Sequence, residues 1–300
     1  MPKQSVGMIG LGIMGSAMAA NLIAAGYPVI GYDVLAKRRE DHRRAGGRVA
    51  RRCRDIVRQA EIVVCSLPSS DALRATAEEL AAAARPPLVV IETSTLPIAV
   101  KQVARRTLAA RGAILLDCPL SGTGSQARNR DLVVYASGDR RAYRRVSPVL
   151  DAFARAHYHV GAFGAGSKTK FVANLLVAVH NVAAAEALVL AMKCGLDPAT
   201  TLKVIAAGAG SSRMLEVRGP MMVKGDYSNA LMKLEIWQKD MRIIGDFARE
   251  AGAPTPLFTA TAPIYTAATE AGGDRDTGAV CAVLEQIAGV RRKLKVQRSK

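Results

Sequence analysis

Cysteine, aromatic and acidic side chains are all scarce in this 300-residue chain. The five cysteines (Cys53, Cys65, Cys118, Cys194 and Cys281) are odd in number, far apart and form no CxxC pair. That excludes a disulfide framework and a cysteine-held zinc site, and fits a reducing compartment, the cytoplasm. Histidine offers no metal site either: His157 and His159 alternate on one short strand, and His42 and His180 stand apart from any carboxylate or cysteine at ligand spacing. Aromatic residues make up 4% of a chain that is 50% hydrophobic and rich in alanine, a composition for helices packed closely through small side chains. There is no repeat of fixed period, and the first residues run straight into a glycine motif without the charged and apolar regions of a secretory signal.

Acids are outnumbered, 25 against 42 Lys and Arg, for a net charge of +17. The bases are scattered apart from a final cluster, RRKLKVQRSK, at 291–300, which reads as a basic tail. No recognition helix, zinc finger or aromatic RNA-binding pattern accompanies them, so the charge is expected to solvate the surface and steer small anions rather than bind nucleic acid. Phe171 to Met192 is apolar and long enough to span a bilayer, yet Asn174, His180, Asn181 and Glu186 interrupt it. Those groups are costly in hydrocarbon, so the segment is expected to be a fully buried helix of a soluble protein, with Glu186 paired to a buried polar group.

Three hundred residues predict two domains. Short apolar runs at Ser5–Ile9, Val29–Asp33, Ile62–Ser66, Leu88–Glu92, Ile114–Asp117, Leu132–Ala136 and Tyr158–Val160 read as strands, with helical patterns between the early ones. This order predicts an α/β Rossmann-type doubly wound parallel sheet over residues 1–164. After GAFGAGSK the pattern turns helical throughout, predicting a long interdomain helix and an all-α C-terminal domain over 165–290.

The first strand runs into Gly10-Leu11-Gly12-Ile13-Met14-Gly15, with a helix expected over Ala17 to Ala25. A GxGxxG pattern is weak alone, but in this position Gly10 makes the tight turn, Gly12 admits a pyrophosphate and Gly15 lets helix and strand pack closely. The helix start then presents N–H groups to the phosphates. Asp33, at the end of the second strand and eighteen residues after Gly15, stands where a carboxylate accepts hydrogen bonds from the adenosine ribose. It would repel a 2′-phosphate, which favours NAD, although Lys37, Arg38 and Arg39 just downstream keep NADP possible.

With GLGIMG at Gly10–Gly15, SLP at Ser66–Pro68, ETSTLP at Glu92–Pro97, DCPLSGT at Asp117–Thr123, GAGSKTKFVAN at Gly164–Asn174 and QKD at Gln238–Asp240, the chain resembles the β-hydroxyacid dehydrogenase family over nearly its whole length. The resemblance implies hydride transfer between NAD and the 3-hydroxyl carbon of a small hydroxy acid, in a homodimer or homotetramer. It implies that Leu67, Pro68 and Thr95 border the cofactor, that Lys239 lies near the nicotinamide, that Ser121, Gly122 and Thr123 hold the substrate carboxylate, and that Lys170 and Asn174 form the catalytic pair. Helix geometry agrees, since residues four apart share a face. Oxidising a carbinol requires a base within reach of its hydroxyl, and burial beside a positive nicotinamide would suit a lysine to that task.

The family's usual glycines are replaced by Thr123, Gln126 and Arg130, making this loop bulkier and more basic, with Arg130 available to a second polar end of the substrate. Gly208–Met222 looks most like the threonate-type branch, with Arg213 as a candidate substrate contact. Trp237, beside Lys239, suits either the pocket or simple packing. The rival readings are an imine reductase or oxidative decarboxylase on the same fold, and a non-catalytic nucleotide- or nucleic-acid-binding member. The retained Lys170 argues against the imine reductase, the shorter chain and Ala173 in place of that family's histidine argue against the decarboxylase, and the intact Lys170 and Asn174 argue against the non-catalytic reading.

Overall fold

The computed structural model describes residues 3–290; the expected basic tail lies outside the described residues. The chain divides into two compact units, one ending at Lys170 and one starting at Phe171, so the division falls inside a helix rather than at its start.

In the first unit, strands and helices alternate: β1 (Val6–Ile9), α1 (Ile13–Ala24), β2 (Val29–Tyr32), α2 (Ala36–Arg44), β3 (Arg48–Val49), a 3-10 turn at Cys53–Arg58, β4 (Ile62–Cys65), α3 (Ser70–Ala83), β5 (Val89–Glu92), α4 (Ile98–Ala109) and β6 (Ile114–Asp117). They build a six-stranded parallel sheet of order β3-β2-β1-β4-β5-β6. Then come β7 (Leu120–Ser121), α5 (Gly124–Arg128), β8 (Val133–Ala136), α6 (Arg140–Phe153) and β9 (Ala156–His159), whose strands form a second sheet with β7-β8 antiparallel and β8-β9 parallel. α7 (Ala165–Lys193) begins in this unit and continues into the next.

The central strands are buried on both faces because their apolar residues alternate between two cores. Val6, Met8, Ile62, Val64, Val89 and Ile91 pack with α1 and α6 on one side, while Ile30, Val63, Cys65, Val90 and Leu115 pack with α3 and α4 on the other. Most observed strands are one residue shorter than expected at one end, since Ser5, Asp33, Ser66, Leu88 and Leu132 fall outside the ladder, and the last runs Ala156–His159 rather than Tyr158–Val160. α1 starts four residues earlier than expected, directly after Gly12.

His42 of α2 is buried in space that side chains at Gly31 and Gly47 would fill: Cβ atoms there would approach its ring to 2.5 Å and 2.1 Å. Burial holds the imidazole pKa below its ordinary value. The unfolded chain therefore takes up a proton that the folded chain refuses, so stability should be level at neutral pH and fall as pH drops below about 6.5. Thermal unfolding from pH 7 to 5 measures this, and His42→Leu should flatten part of the slope; an unchanged slope would assign it elsewhere.

The second unit is helical: the rest of α7, then α8 (Pro198–Ala206), α9 (Arg213–Lys224), α10 (Leu234–Glu250), α11 (Pro256–Glu270) and α12 (Val280–Ile287). α7 is long and apolar enough to cross a membrane by length and composition, but only 44% of its most apolar window is buried. The expected full burial is thereby corrected: Val172, Leu176 and Leu190 are exposed, and so is Glu186. An apolar composition on nearly every face gave no periodicity from which to tell a covered side from an open one.

Candidate active site

β1 lies at the point where strand order reverses, and its carboxyl end opens the glycine loop there, as nucleotide sites in such sheets require. Gly10 adopts φ +86°, and a Cβ on it would sit 2.1 Å from the Ser66 carbonyl at the end of β4. At Gly15 a Cβ would sit 1.8 Å from the Gly10 carbonyl, so both positions require glycine. Gly12 differs: only the Arg38 Nη1 lies within 4 Å of its Cβ position, at 3.8 Å, which leaves an approach for a phosphate. α1 starts there with no side-chain cap and no acid in its first turn, so its positive end is presented to that space. Ile13 projects outward, while Leu11 and Gly15 are buried and Met14 is half-buried.

Asp33, just beyond β2 and buried, is tied to this loop. Its Oδ2 accepts from the Leu11 N–H at 2.8 Å and pairs with Arg38 at 3.3 Å, and its Oδ1 accepts from the Leu35 N–H at 2.9 Å. Arg39 donates to the Asp33 carbonyl at 2.6 Å. The carboxylate thus shapes the glycine loop, and two guanidinium groups lie beside it.

The neighbouring strand ends complete the rim. The Leu67 N–H donates to Ser94 Oγ at 2.8 Å, and Thr93 Oγ1 donates to the Cys65 carbonyl at 2.7 Å, fixing the SLP and ETSTLP segments side by side. Leu67 and Thr95 are half-buried and Pro68 is exposed. Beyond β6, Gly122 takes φ +138°, and Thr123 caps α5: its Oγ1 accepts from the Gln126 N–H at 3.4 Å, while its own N–H donates to Gln126 Oε1 at 3.0 Å. Asn21 of α1 donates to the Ala127 carbonyl at 2.7 Å, and a Cβ on Gly124 would sit 2.5 Å from Ile13 Cγ2. The Ser121–Thr123 loop therefore abuts the glycine loop. Thr123 and Gln126, at positions of family glycines, build its cap; Arg130 (φ +56°) turns away to donate to the Asp151 carbonyl at 2.8 Å, which corrects its expected availability to a second end of the substrate.

Sequence reasoning passed over a cluster beneath this rim. The β5–β6 register sets Glu92 beside Asp117, both fully buried, an arrangement that demands a cation. Lys101 of α4 supplies it, with Nζ 2.6 Å from Glu92 Oε2, 2.8 Å from Asp117 Oδ1 and 2.6 Å from the Ser94 carbonyl. Burial by itself would lower the ammonium pKa, but the two carboxylates override it and hold it above its ordinary range. Both acids sit in sequence motifs, ETSTLP and DCPLSGT; what singles them out is their pairing across strands. Asp117 also receives the start of α7, which leads within one turn to Lys170, itself buried.

In the second unit, buried Asn174 donates through Nδ2 to Asp240 Oδ2 at 3.0 Å, and Lys239 Nζ lies 3.4 Å from Asp240 Oδ1. Asp240, the last letter of the QKD motif, joins the two residues expected from sequence. Trp237 is buried with its ring 6.0 Å from that of Tyr265, a packing position. Arg213 is exposed at the start of α9 and pairs with Glu216 at 3.0 Å; the buried arginine of that segment is Arg218, held by Asp276 at 3.0 Å and Thr277 at 2.8 Å. Among the described residues no three His, Cys, Asp or Glu side chains come together as a metal site.

Residues 5–161 match the family model for the NAD-binding domain of 6-phosphogluconate dehydrogenase, and residues 164–284 match the model described as NAD-binding of NADP-dependent 3-hydroxyisobutyrate dehydrogenase. The chain belongs to the β-hydroxyacid dehydrogenase family. Among its relatives within the β-hydroxyacid dehydrogenases are the L-threonate dehydrogenase of Cupriavidus necator, 35% identical over 95% of this chain and 97% of that one, and a probable 3-hydroxyisobutyrate dehydrogenase of Mycobacterium tuberculosis, 32% identical over 95% and 99%. The solved structure of Mycobacterium tuberculosis 3-hydroxyisobutyrate dehydrogenase with L-serine superposes with a TM-score of 0.86 at 30% identity, covering 94% of this chain and 99% of that one. This chain is accordingly an NAD(P)-dependent hydroxyacid dehydrogenase of Rossmann-type fold, and the open Gly12 approach at an uncapped helix start suits the dinucleotide.

Proposed function

We propose that this β-hydroxyacid dehydrogenase moves a hydride between NAD and the 3-hydroxyl carbon of a small 3-hydroxy acid of the 3-hydroxyisobutyrate, glycerate or threonate kind, with Lys170 as general acid and base. The observation that carries the reading is a buried lysine in the opening turns of α7, whose start is held by Asp117 at the carboxyl edge of the dinucleotide-binding sheet. When bound, the nicotinamide accepts or returns the hydride. Lys170 removes the hydroxyl proton as the carbonyl forms and returns it to the alkoxide in reduction. Asn174, one turn on, donates its second amide N–H to the same oxygen; Asp240, by accepting the first, fixes which side of the amide carries the donors.

In this reading Ser121, Gly122 and Thr123 receive the substrate carboxylate, Leu67, Pro68 and Thr95 flank the cofactor, and Lys239 stands near the nicotinamide end. A Thr123 contact would require its N–H or hydroxyl to leave Gln126, since both serve the α5 cap. An Arg213 contact would require that side chain to leave Glu216. A cytoplasmic homodimer or homotetramer belongs to the same reading, supported by exposed Val172, Leu176, Leu190, Leu196 and Val204. The test is a panel of 3-hydroxyisobutyrate, glycerate, serine, threonate and 3-hydroxypropionate, assayed by absorbance with NAD and NADP separately. Turnover of at least one with NAD is expected, and failure across the panel would remove the substrate class.

Cofactor choice makes its own prediction. A ribose 2′-phosphate would meet the Asp33 carboxylate and the Arg38 guanidinium together. A charge-assisted hydrogen bond contributes about 1.5–3 kcal/mol, so Arg38→Ala should lower kcat/KM for NADP by about tenfold or more and leave NAD within a factor of about two. Equal losses with both cofactors would show that Arg38 does not read the phosphate.

A further inference from the structure

We infer that the buried Lys101–Glu92–Asp117 cluster is a positioning device that sets Lys170 relative to the cofactor loops. The inference rests on the reading of Lys170 as the acid and base. The Lys101 ammonium donates to Asp117 Oδ1 at 2.8 Å and to the Ser94 carbonyl at 2.6 Å, and Glu92 Oε2 forms an ion pair with it at 2.6 Å. One limb runs to the cofactor side. Ser94 donates its N–H to Glu92 Oε1 at 2.9 Å and accepts the Leu67 N–H on its hydroxyl at 2.8 Å. The other limb runs to α7. Asp117 accepts the Ser167 N–H on Oδ2 and the Ser167 hydroxyl on Oδ1, each at 2.8 Å, and Ser137, 3.3 Å from Asp117 Oδ2, accepts the Gly166 N–H at 2.9 Å.

Two carboxylates against one ammonium leave a net negative charge, and it lies at the positive end of the helix. The helix start has no room to slide, because a Cβ on Gly166 would sit 2.3 Å from the Tyr135 carbonyl and 2.7 Å from that of Asp117. Lys170 follows Ser167 by three residues, a rise of about 4.5 Å, so a shift at Ser167 carries straight to its side chain. Desolvating three ions is costly, and well-packed apolar residues often serve stability as well or better. A single fixed geometry is what the charged arrangement adds. The same ammonium thereby sets both the loop beside the cofactor and the helix bearing the base.

Three serine variants separate this role from a merely structural one. Ser167→Ala and Ser137→Ala each remove one hydroxyl from the α7 limb while leaving the ion cluster whole, and Ser94→Ala does the same on the cofactor limb. In the full-length enzyme, either α7-limb variant should lower kcat about tenfold and shift the pH profile of kcat, with NADH affinity by fluorescence titration within about twofold. Ser94→Ala should show the opposite split, with weaker NADH binding and kcat nearly retained. If the Ser167 and Ser137 variants lose thermal stability but keep kcat and its pH profile, the positioning role is wrong. Lys170→Ala run in parallel tells the two failures apart: an active Lys170→Ala enzyme sinks the acid–base reading itself, whereas an inactive one beside unaffected serine variants sinks only the positioning.

Discussion

Replacement of Lys170 by alanine is expected to cut kcat by roughly 10²–10⁴-fold, the usual contribution of a positioned acid or base, while NADH binding and thermal stability stay near those of the parent. The expected split follows from location. Lys170 belongs to the opening of α7, whose hydrogen bonds to Asp117 and Ser137 are made by Gly166 and Ser167 and survive the substitution. The glycine loop and Asp33, which are to hold the dinucleotide, are tied to each other and to the start of α2 through Leu11, Leu35 and Arg38. Steady-state rates on the best acid of the panel, NADH titration and a melting curve measure the three quantities. Retention of more than about a tenth of the parent rate would fall well short of the acid–base contribution and remove Lys170 from the chemistry. Asn174→Ala should produce a smaller loss, because a donor to the reacting oxygen helps to stabilise charge but does not take the proton.

The glycine loop supports an equally large effect on binding, with an internal control. A methyl group at Gly15 would lie 1.8 Å from the Gly10 carbonyl oxygen, a backbone atom that can retreat only if the loop deforms. Gly10 donates its N–H to the Tyr32 carbonyl at 2.9 Å, and Leu11 donates to Asp33, so deformation spreads to the ribose side of the site. Gly15→Ala is therefore expected to lose about 1–3 kcal/mol of stability, as overpacked sites do, and to lose detectable NADH binding. Gly12→Ala meets only the end of the Arg38 side chain, at 3.8 Å, so the cofactor-free protein should melt at the parent temperature. Its methyl group nevertheless occupies the phosphate approach, and the rise in melting temperature that saturating NADH gives the parent should disappear. Normal NADH stabilisation of Gly12→Ala would place the pyrophosphate elsewhere.

Much of the dinucleotide half was legible in the sequence. Glycine spacing, short apolar runs and an acid at a strand end are local signals, and locally they were sufficient to give the parallel sheet, the loop and Asp33. Boundaries were less so. The helix after the loop was expected from Ala17 but begins at Ile13, because helical hydrogen bonding starts as soon as Gly12 can serve as its first acceptor, whatever the propensity of the residues between. α7 was recognised as a helix, but its apolar composition hid which of its residues stay exposed.

The sequence by itself determined which side chains were available for chemistry: the glycines, Asp33, Lys170, Asn174 and the motif acids. Only the tertiary structure decided which of them meet. Glu92 and Asp117 become neighbours through the pairing of β5 with β6, Lys101 is drawn in from the helix between them, and Asn174 finds Asp240 across 66 residues of chain. The reason is physical: a local pattern records the burial and conformation of its own residues, whereas a buried charge is tolerable only beside a partner that the folded chain brings to it.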